Sequence, residues 1–260
     1  MEVRACARPI RAVHEEASDR AVVCLHGYMG YPGELALPAQ RLYEAGFDVF
    51  VPRYPGHGTN GRDFMGTTRN DWIGEAERAV VDAMGAYGEV FLVGHSMGGA
   101  IATILSKRYG IRRTVLYAPA LLIPSLPFTL VSIVSLFIKR RPQPWQSDPR
   151  YPFFDDRDPD DDAFLGKEYW SWLYPKQIRQ LELLRREAVS LLQETSTDML
   201  VITGGQDQVV HKDVGHLVVD TGSGTNEWLH LEQATHLIPY DIDQEARETA
   251  MERTIWWLSQ

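Results

Sequence analysis

The sequence predicts an α/β fold in which a mostly parallel central sheet is flanked by helices. Three observations lead to this prediction. Short apolar runs alternate with longer amphipathic runs, as in a sheet with crossover helices. A Gly-X-Ser-X-Gly motif directly follows one apolar run, at a predicted strand-to-helix turn. The alternation is interrupted once, by a long segment of different composition, which predicts an insertion.

The first half of the chain contains four short runs whose continuous apolar character suits strands buried on both faces. These predicted strands are residues 21–25 (AVVCL), 48–51 (DVFV), 89–93 (EVFLV) and 114–117 (TVLY). The amphipathic runs between them predict helices at residues 34–45, 72–87 and 97–109.

In the second half, the regular alternation resumes only at residue 175. A helix at 175–193, a strand at 198–203 (DMLVIT), a last strand at 227–231 (EWLHL) and a closing helix at 243–258 are predicted. Residues 119–175 are rich in proline, aromatic residues and aspartate, including the run DDRDPDDD. We therefore predict a core of residues 1–118 and 176–260, with a cap or lid insertion at 119–175 on the loop face of the sheet.

Charge and cysteine content limit the classes of partner and compartment. The formal net charge of −9 argues against nucleic acid and anionic membranes as main partners. Two cysteines, Cys6 and Cys24, cannot build a disulfide framework, and the first residues lack the apolar stretch of a signal peptide. A cytoplasmic protein is expected. The most apolar stretch begins at Leu121 and is interrupted by Pro124 and Pro127; the part that follows, residues 128–138, is too short to span a bilayer as a helix.

The Gly-X-Ser-X-Gly motif is Gly94-His95-Ser96-Met97-Gly98, between a predicted strand and a predicted helix. A serine on such a sharp turn is held in a strained backbone conformation with its hydroxyl above the sheet edge. Glycines two residues before and after are required because a Cβ would clash across the turn. Ser96 is therefore the predicted nucleophile.

A serine nucleophile needs an imidazole base and a carboxylate that orients the imidazole. In chain order these follow the serine as acid and then base. Asp207 lies in the loop after the strand at 198–203, and His236 lies just past the last predicted strand. Asp213 is a less suitable acid because it begins a helix, and His230 is a less suitable base because it lies within a strand.

Acyl transfer also requires hydrogen-bond donors for the oxyanion. The backbone N–H of Met97, directly after the nucleophile, is the first expected donor. The loop after the first predicted strand reads Leu25-His26-Gly27-Tyr28, and the N–H of Tyr28 is the second. His26 is interpreted as a brace for this loop. No metal or organic cofactor is needed for this chemistry, and no metal-ligand spacing is found.

The segments LHGYMG, VPRYPGHGT, GHSMGG, GGQDQVV and ATHLIPYD occur in the order and spacing of a known group. The chain resembles the bacterial carboxylesterase and monoacylglycerol lipase group of the α/β-hydrolases, from about residue 21 to residue 257. The resemblance implies the α/β-hydrolase fold and gives Ser96, Asp207 and His236 the roles of nucleophile, acid and base. It places Tyr28 and Met97 at the oxyanion hole, where relatives more often carry Phe at the first position. The insertion at 119–175 is longer than in compact members.

The expected activity is hydrolysis of short- or medium-chain acyl esters or monoacylglycerols through an acyl-enzyme on Ser96. The apolar start of the insertion is interpreted as a lid over an acyl pocket, with Lys139, Arg140 and Arg141 at its rim. Its apolar residues are Leu121, Leu122, Ile123, Leu126, Phe128, Leu130, Val131, Ile133, Val134, Leu136, Phe137 and Ile138. Expected substrate contacts are Gly27, Leu121, Phe128, Trp145 and Val209, with Trp170 and Trp172 near the same pocket.

Several alternatives stay open. The apolar run could instead be a helix packed into the core or a dimer contact, so both a monomer and a homodimer are compatible with the sequence, as is transient contact of the lid with a lipid interface. The same triad serves aminopeptidases, lysophospholipases and C–C hydrolases. A non-catalytic ligand-binding homologue is a further alternative, although homologues of that kind often lack a triad member.

Overall fold

The computed structural model describes residues 3–16, 18–123, 128–148, 150–151 and 159–260, apart from the side chains of Leu130, Pro159, Asp160 and Asp162. Seven strands form the central sheet: β1 (Ile10–Ala12), β2 (Arg20–Leu25), β3 (Asp48–Val51), β4 (Glu89–His95), β5 (Arg113–Tyr117), β8 (Asp198–Gly204) and β9 (Asn226–Leu231). Their order across the sheet is β1-β3-β2-β4-β5-β8-β9. Every pairing is parallel except that of β1 with β3. The predicted fold class is confirmed.

Five helices beside this sheet correspond to predicted ones: α1 (Ala36–Glu44), α3 (Arg69–Ala86), α4 (Met97–Tyr109), α7 (Pro175–Leu191) and α9 (Gln244–Leu258). Helix α2 (Gly61–Met65) was not predicted, and of α8 (Val214–Thr221) only a helical start near Asp213 was expected. Helix α3 begins three residues earlier than predicted because Thr68 and Asp71 form a reciprocal capping box there. The predicted helix at 34–45 divides into a 3₁₀ turn, Pro32–Leu35, and α1.

The buried apolar side chains lie on both faces of the sheet. Along β2 they alternate, so that Val23 and Leu25 pack with one cluster and Val22 and Cys24 with the other. The first cluster includes residues of α3, α4 and α7, whereas the second includes residues of α1 and α9. This two-sided burial explains why the central strands are continuously apolar.

The intervening segment, residues 119–175, adds no strand to the central sheet in its described parts. It contains α5 (Phe128–Phe137), α6 (Pro159–Leu165), a π-helical turn Gly166–Trp170, and a separate two-stranded ladder of β6 (Arg141–Pro142) with β7 (Trp172–Leu173). Leu126 and the first half of the run DDRDPDDD, residues 155–158, lie outside the described residues. None of the described helices has both the length and the apolar character needed to cross a membrane.

The strand order explains where the site forms. From β2 the chain moves in one direction to β3, and from β4 it moves in the other direction to β5, β8 and β9. Such a switch leaves a crevice beyond the carboxyl ends of the two strands where the order reverses. Here those strands are β2 and β4, paired at Leu25 and Gly94, so the loop containing Tyr28 and the turn containing Ser96 lie side by side.

Candidate active site

Ser96 occupies the strained turn between β4 and α4. Its backbone has φ 53° and ψ −115°, in the region that glycine prefers. A Cβ on Gly94 would lie 2.5 Å from the carbonyl oxygen of Gly98, and a Cβ on Gly98 would overlap the backbone of Leu25. The Ser96 N–H donates to the carbonyl of Tyr117 (2.9 Å), which ties the turn to β5. The two glycines are therefore needed for the steric reason predicted.

Three side chains form a hydrogen-bonded series. His236 Nε2 lies 3.0 Å from Ser96 Oγ, and His236 Nδ1 lies 2.8 Å from Asp207 Oδ2. An ionised carboxylate can only accept, so Nδ1 carries the proton and Nε2 is free to accept from the serine hydroxyl. The series runs in the order that proton transfer from a serine requires.

Asp207 is held at both carboxylate oxygens. Oδ1 accepts from the N–H groups of Val209 (2.7 Å) and Val210 (2.9 Å), while Oδ2 faces His236. Burial by itself raises the pKa of this carboxyl, but the hydrogen bonds and the facing imidazole outweigh it and hold the pKa below its ordinary value. Asp207 is therefore ionised at neutral pH. Asp213 instead lies at the N-terminus of α8, as expected.

The loop that carries His236 is fixed by residues that the sequence analysis did not single out. Buried Asp241 accepts from the N–H (2.6 Å) and hydroxyl (2.7 Å) of Thr235. His95, the neighbour of the serine, donates from Nε2 to the His236 carbonyl (2.9 Å). Burial lowers the pKa of His95 to about 3, and the nearby His236 adds to this, so His95 is neutral. The motif ATHLIPYD contained Asp241, but its spacing gave no indication of this bond.

The acid loop and the base loop are joined directly. The N–H of Gln206 donates to the carbonyl of Ala234 (2.9 Å), and that of Gly205 donates to the carbonyl of Leu231 (2.9 Å). A side chain at Gly204 would overlap the carbonyl of Ala234. The glycines of GGQDQVV therefore let Asp207 approach His236.

The loop after β2 lies against the serine turn. Gly27, Tyr28 and Ser96 line the same cavity. His26 braces the loop as predicted: its Nδ1 lies 3.0 Å from the Gly27 carbonyl, and its Nε2 lies 3.5 Å from the Tyr54 nitrogen. Met97 opens α4, and the first N–H groups of a helix have no acceptor within the helix. The phenol hydroxyl of Tyr28 is buried, so it offers no hydroxyl to the cavity.

The cavity above Ser96 has a volume of about 310 Å³ and a mixed aromatic and polar wall. Its lining residues outside the loop and the hydrogen-bonded series are Glu34, His95, Trp145, Gln146, Asp148, Tyr151, Trp170, Leu237 and Tyr240. Trp145 packs on Trp170, with ring centroids 5.4 Å apart. Asp148 accepts from the guanidinium of Arg150, and the hydroxyl of Tyr151 donates to Thr235 (3.3 Å).

The expected substrate contacts therefore divide into two groups. Gly27 and Trp145 line the cavity, with Trp170 beside them. Leu121 is fully buried in the core, and Phe128 lies under the guanidinium of Arg186, so neither lines this cavity. The Val209 side chain is 50% exposed and is absent from the lining; its backbone N–H instead holds Asp207.

The turn PRYPGHG anchors the intervening segment. The hydroxyl of buried Tyr169 donates to the carbonyl of Gly56 (2.9 Å) and accepts from the N–H of Thr59 (2.8 Å). Glu168 accepts from the N–H of Gly61 (3.0 Å). These contacts position Trp170, which follows Tyr169 in the chain, at the wall of the cavity above Ser96. Among the described residues, no group of His, Cys, Asp and Glu side chains has an arrangement suited to a metal ion.

Comparisons with known proteins identify the family and the fold of the chain. Over 88 residues the chain is 32% identical to a thermostable monoacylglycerol lipase of Bacillus sp. (strain H-257), an alignment that covers 34% of this chain and 35% of that relative. The chain thus matches about a third of the length of that curated relative.

Two solved structures share the fold over almost the whole chain. A metagenome-derived lipolytic enzyme superposes with a TM-score of 0.84 at 22% identity, covering 99% of each chain. The monoacylglycerol lipase of Paleococcus ferrophilus has a TM-score of 0.73 at 19% identity, covering 99% of this chain and 98% of its own. The model of the alpha/beta hydrolase family matches residues 22–251. The chain therefore belongs to the alpha/beta hydrolase family.

Proposed function

We propose that this protein is a carboxylic ester hydrolase that acts through an acyl-enzyme on Ser96. The observation that carries the proposal is the continuous series from Ser96 Oγ through His236 to Asp207, at 3.0 and 2.8 Å. Similarity to proteins named as lipolytic enzymes and monoacylglycerol lipases supports the same class.

The reaction proceeds in two steps. Ser96 Oγ attacks the acyl carbonyl carbon while its proton passes to His236 Nε2, and Asp207 stabilises the imidazolium. The N–H groups of Tyr28 and Met97 stabilise the oxyanion. The intermediate collapses, the carbon–oxygen bond to the alcohol breaks, and His236 returns the proton to the leaving oxygen. Water then attacks the acyl-enzyme, with His236 again as base, and releases the acid and the free serine.

The cavity supports short- or medium-chain acyl esters or monoacylglycerols as substrates. Its volume of about 310 Å³ is at the lower end of the range for small-molecule sites. Trp145 and Trp170 provide apolar surface, while Glu34 and Gln146 provide groups that accept hydrogen bonds from an alcohol such as glycerol. In this proposal residues 119–175 form a cap whose aromatic residues contact the substrate, and the exposed face of α5 is available to a lipid interface.

A second candidate, hydrolysis of aminoacyl amides, is favoured by one observation. Two acidic residues, Glu34 and Asp148, are among those that line the cavity, and acidic side chains suit a substrate ammonium group. Asp148 is already paired with Arg150, which weakens its attraction for a second cation.

The test is a substrate panel on the purified protein and its Ser96→Ala variant. Parent protein should hydrolyse p-nitrophenyl esters and monoacylglycerols in preference to aminoacyl amides. Ser96→Ala should lose on the order of 10⁴-fold or more in kcat, because the covalent step is removed. A fluorophosphonate probe should label the parent at Ser96 and leave the variant unlabelled. Unchanged ester hydrolysis by folded Ser96→Ala would overturn the mechanism, and faster turnover of aminoacyl amides would favour the second candidate.

A further inference from the structure

The loop that carries His236 has no regular secondary structure at the base, yet side chains bind its backbone on each side of the imidazole. The N–H of Thr235 donates to Asp241 Oδ2 (2.6 Å), and the N–H of Leu237 donates to the hydroxyl oxygen of Thr235 (3.2 Å). The carbonyl of His236 itself accepts from His95 Nε2 (2.9 Å). Because no helix or strand fixes this backbone, the direction of the imidazole depends on these bonds.

The hydroxyl of Thr235 is the point where three parts of the molecule meet. It donates to Asp241 Oδ2 (2.7 Å), and it accepts from the N–H of Leu237 and from the hydroxyl of Tyr151 (3.3 Å). A hydroxyl offers one donor and two acceptor sites, so all three are used. Asp241 lies in the segment that leads into α9, whereas Tyr151 lies in the intervening segment, residues 119–175. The residue before the base therefore joins the base loop to both segments.

Asp241 holds this hydroxyl firmly from the core side. It is fully buried, and its Oδ1 accepts from the N–H of Asp243 (3.0 Å), the N-cap residue of α9. The guanidinium of Arg247, in the first turn of the same helix, donates to the Asp241 carbonyl (2.6 Å). A buried carboxylate is tolerated only where its oxygens are hydrogen-bonded. Movement of Thr235 away from Asp241 is therefore unfavourable.

Tyr151 holds the same hydroxyl from the cavity side. Its side chain lines the cavity above Ser96, and its ring lies 6.0 Å from that of Tyr240 on the same wall. Its hydroxyl donates to Thr235, which directly precedes the base in the chain. One side chain of the intervening segment thus contacts both the space for a substrate and the support of His236.

We propose that Thr235 is a positioning residue for His236, and that its hydroxyl makes the position of this base depend on Tyr151. His236 Nε2 stays 3.0 Å from Ser96 Oγ because the bonds of the Thr235 hydroxyl keep the backbone around the base in place. Thr235 acts through the base and touches none of the reacting atoms. This role rests on the proposed function, because a positioned base matters only where Ser96 is a nucleophile.

A second threonine provides the matched comparison. Thr254 is buried in α9, where its hydroxyl donates to the Ala250 carbonyl (2.8 Å) and lies 2.6 Å from the hydroxyl of Tyr117. Neither Thr254 nor Tyr117 is among the residues that line the cavity. Removing either threonine hydroxyl breaks hydrogen bonds inside the protein, but only the bonds of Thr235 lie next to the base.

The experiment compares Thr235→Val, which removes the hydroxyl, with Thr235→Ser, which keeps it, and with the control Thr254→Val. Hydrolysis of a soluble p-nitrophenyl ester and urea denaturation are measured on each; Thr235 is only partly buried, so its variants should fold. Thr235→Val should lose on the order of 10²-fold in kcat, as expected for a catalytic group misplaced by about 1 Å, with KM almost unchanged. Thr235→Ser should keep most of the parental kcat. Thr254→Val should lose stability and keep the parental kcat.

A double-mutant cycle measures the contribution of Tyr151. Tyr151→Phe by itself should lower kcat about fivefold, the effect of one hydrogen bond. In the Thr235→Val background it should cause no further loss, because the acceptor of the tyrosine hydroxyl is already absent. Losses that multiply in full would assign Tyr151 to direct contact with the substrate and would overturn its link to the base.

Other outcomes overturn the role of Thr235. A Thr235→Val protein with the parental kcat would exclude positioning, and an equal loss in Thr235→Ser would show that the hydroxyl is not the group responsible. An equal loss of kcat in Thr254→Val would assign the effect to stability. A parent that neither hydrolyses the ester nor reacts with a fluorophosphonate would instead overturn the proposed function, so the two failures are distinguishable.

Discussion

The turn that holds Ser96 is tightly packed against neighbouring backbone, whereas helix α5 exposes large side chains to solvent. Around Ser96, a single added carbon would overlap neighbouring backbone, because Gly94 and Gly98 lie against other main-chain atoms. On α5, by contrast, Phe137 is 82% exposed. In the first region the internal packing of the fold determines the residue. In the second region, packing within the described part of the protein places no such restriction on the side chain.

The largest expected effect tests whether tight packing determines the residues around Ser96. Gly98→Ala places a Cβ on the backbone of Leu25, which cannot shift without moving β2. We expect a loss of about 3 kcal/mol or more in the free energy of unfolding, measured by urea denaturation. Gly74→Ala is the matched control, because its Cβ meets nothing within 4 Å inside α3. It should gain about 0.5–1 kcal/mol. Equal effects at both sites would contradict the steric argument.

The second-largest expected effect concerns a buried histidine. Histidine side chains are buried around the candidate active site, whereas residues 119–175 contain no histidine. Burial lowers the pKa of His57 from its ordinary value of 6.5 to about 3. Below pH 6.5 the unfolded chain therefore binds a proton at His57, whereas the folded chain does not. The free energy of unfolding consequently falls as the pH falls from about 6.5 toward 3. In His57→Gln the slope of unfolding free energy against pH should decrease by about 1.4 kcal/mol per pH unit near pH 5. An unchanged slope would mean that His57 is not neutral in the fold.

A smaller effect is expected at the loop beside Ser96. The Tyr28 hydroxyl is buried without a hydrogen-bond partner among the described residues, whereas that of Tyr117 lies 2.6 Å from the hydroxyl of Thr254. Tyr28→Phe should therefore stabilise the protein by up to about 1 kcal/mol, and Tyr117→Phe should destabilise it by about 1 kcal/mol. Thermal unfolding measures both. Ester hydrolysis by Tyr28→Phe should persist, since the proposed donor is a backbone N–H; a tenfold loss of kcat would give the phenol a role in the reaction.

The smallest expected effect completes the comparison. Phe137→Ala removes a large apolar side chain but leaves no internal cavity, because that side chain is 82% exposed. The free energy of unfolding should change by less than about 0.5 kcal/mol. Leu121→Ala, in the same intervening segment but fully buried, should cost about 2–5 kcal/mol. A loss at Phe137 close to that at Leu121 would show that α5 is packed inside the protein in solution.

The elements that could be predicted have a strong local pattern. The central strands are continuously apolar because both faces of the sheet are covered, and the strand-to-helix motif around Ser96 has few alternative conformations. Strand β1 (IRA) was not predicted, because three residues with a central arginine have no such pattern and become a strand only by pairing with β3. Helix α2 is likewise too short for its periodicity to be recognised.

The candidate site divides in the same way. Ser96, Asp207 and His236 could be proposed from the sequence because each follows a strand and their order in the chain is the order that the chemistry needs. The bonds of Asp241 to Thr235 and of His95 to His236 join residues whose spacing carries no periodic signal. Phe128 and Val209 were expected at the substrate because of their composition and neighbourhood, but the direction of a side chain depends on how the helix or loop packs.

By itself, then, the sequence determined the fold class, the position of the serine turn and the order of the three hydrogen-bonding groups. These features depend on hydrophobic period, on glycine at sterically crowded positions, and on sequence order, all of which are local properties of the chain. The tertiary structure decided which face of α5 meets solvent and which aromatic rings line the cavity. It also brought Arg62 and Lys176 beside Lys139. Residues so distant in the chain become neighbours only through packing, which no local pattern records.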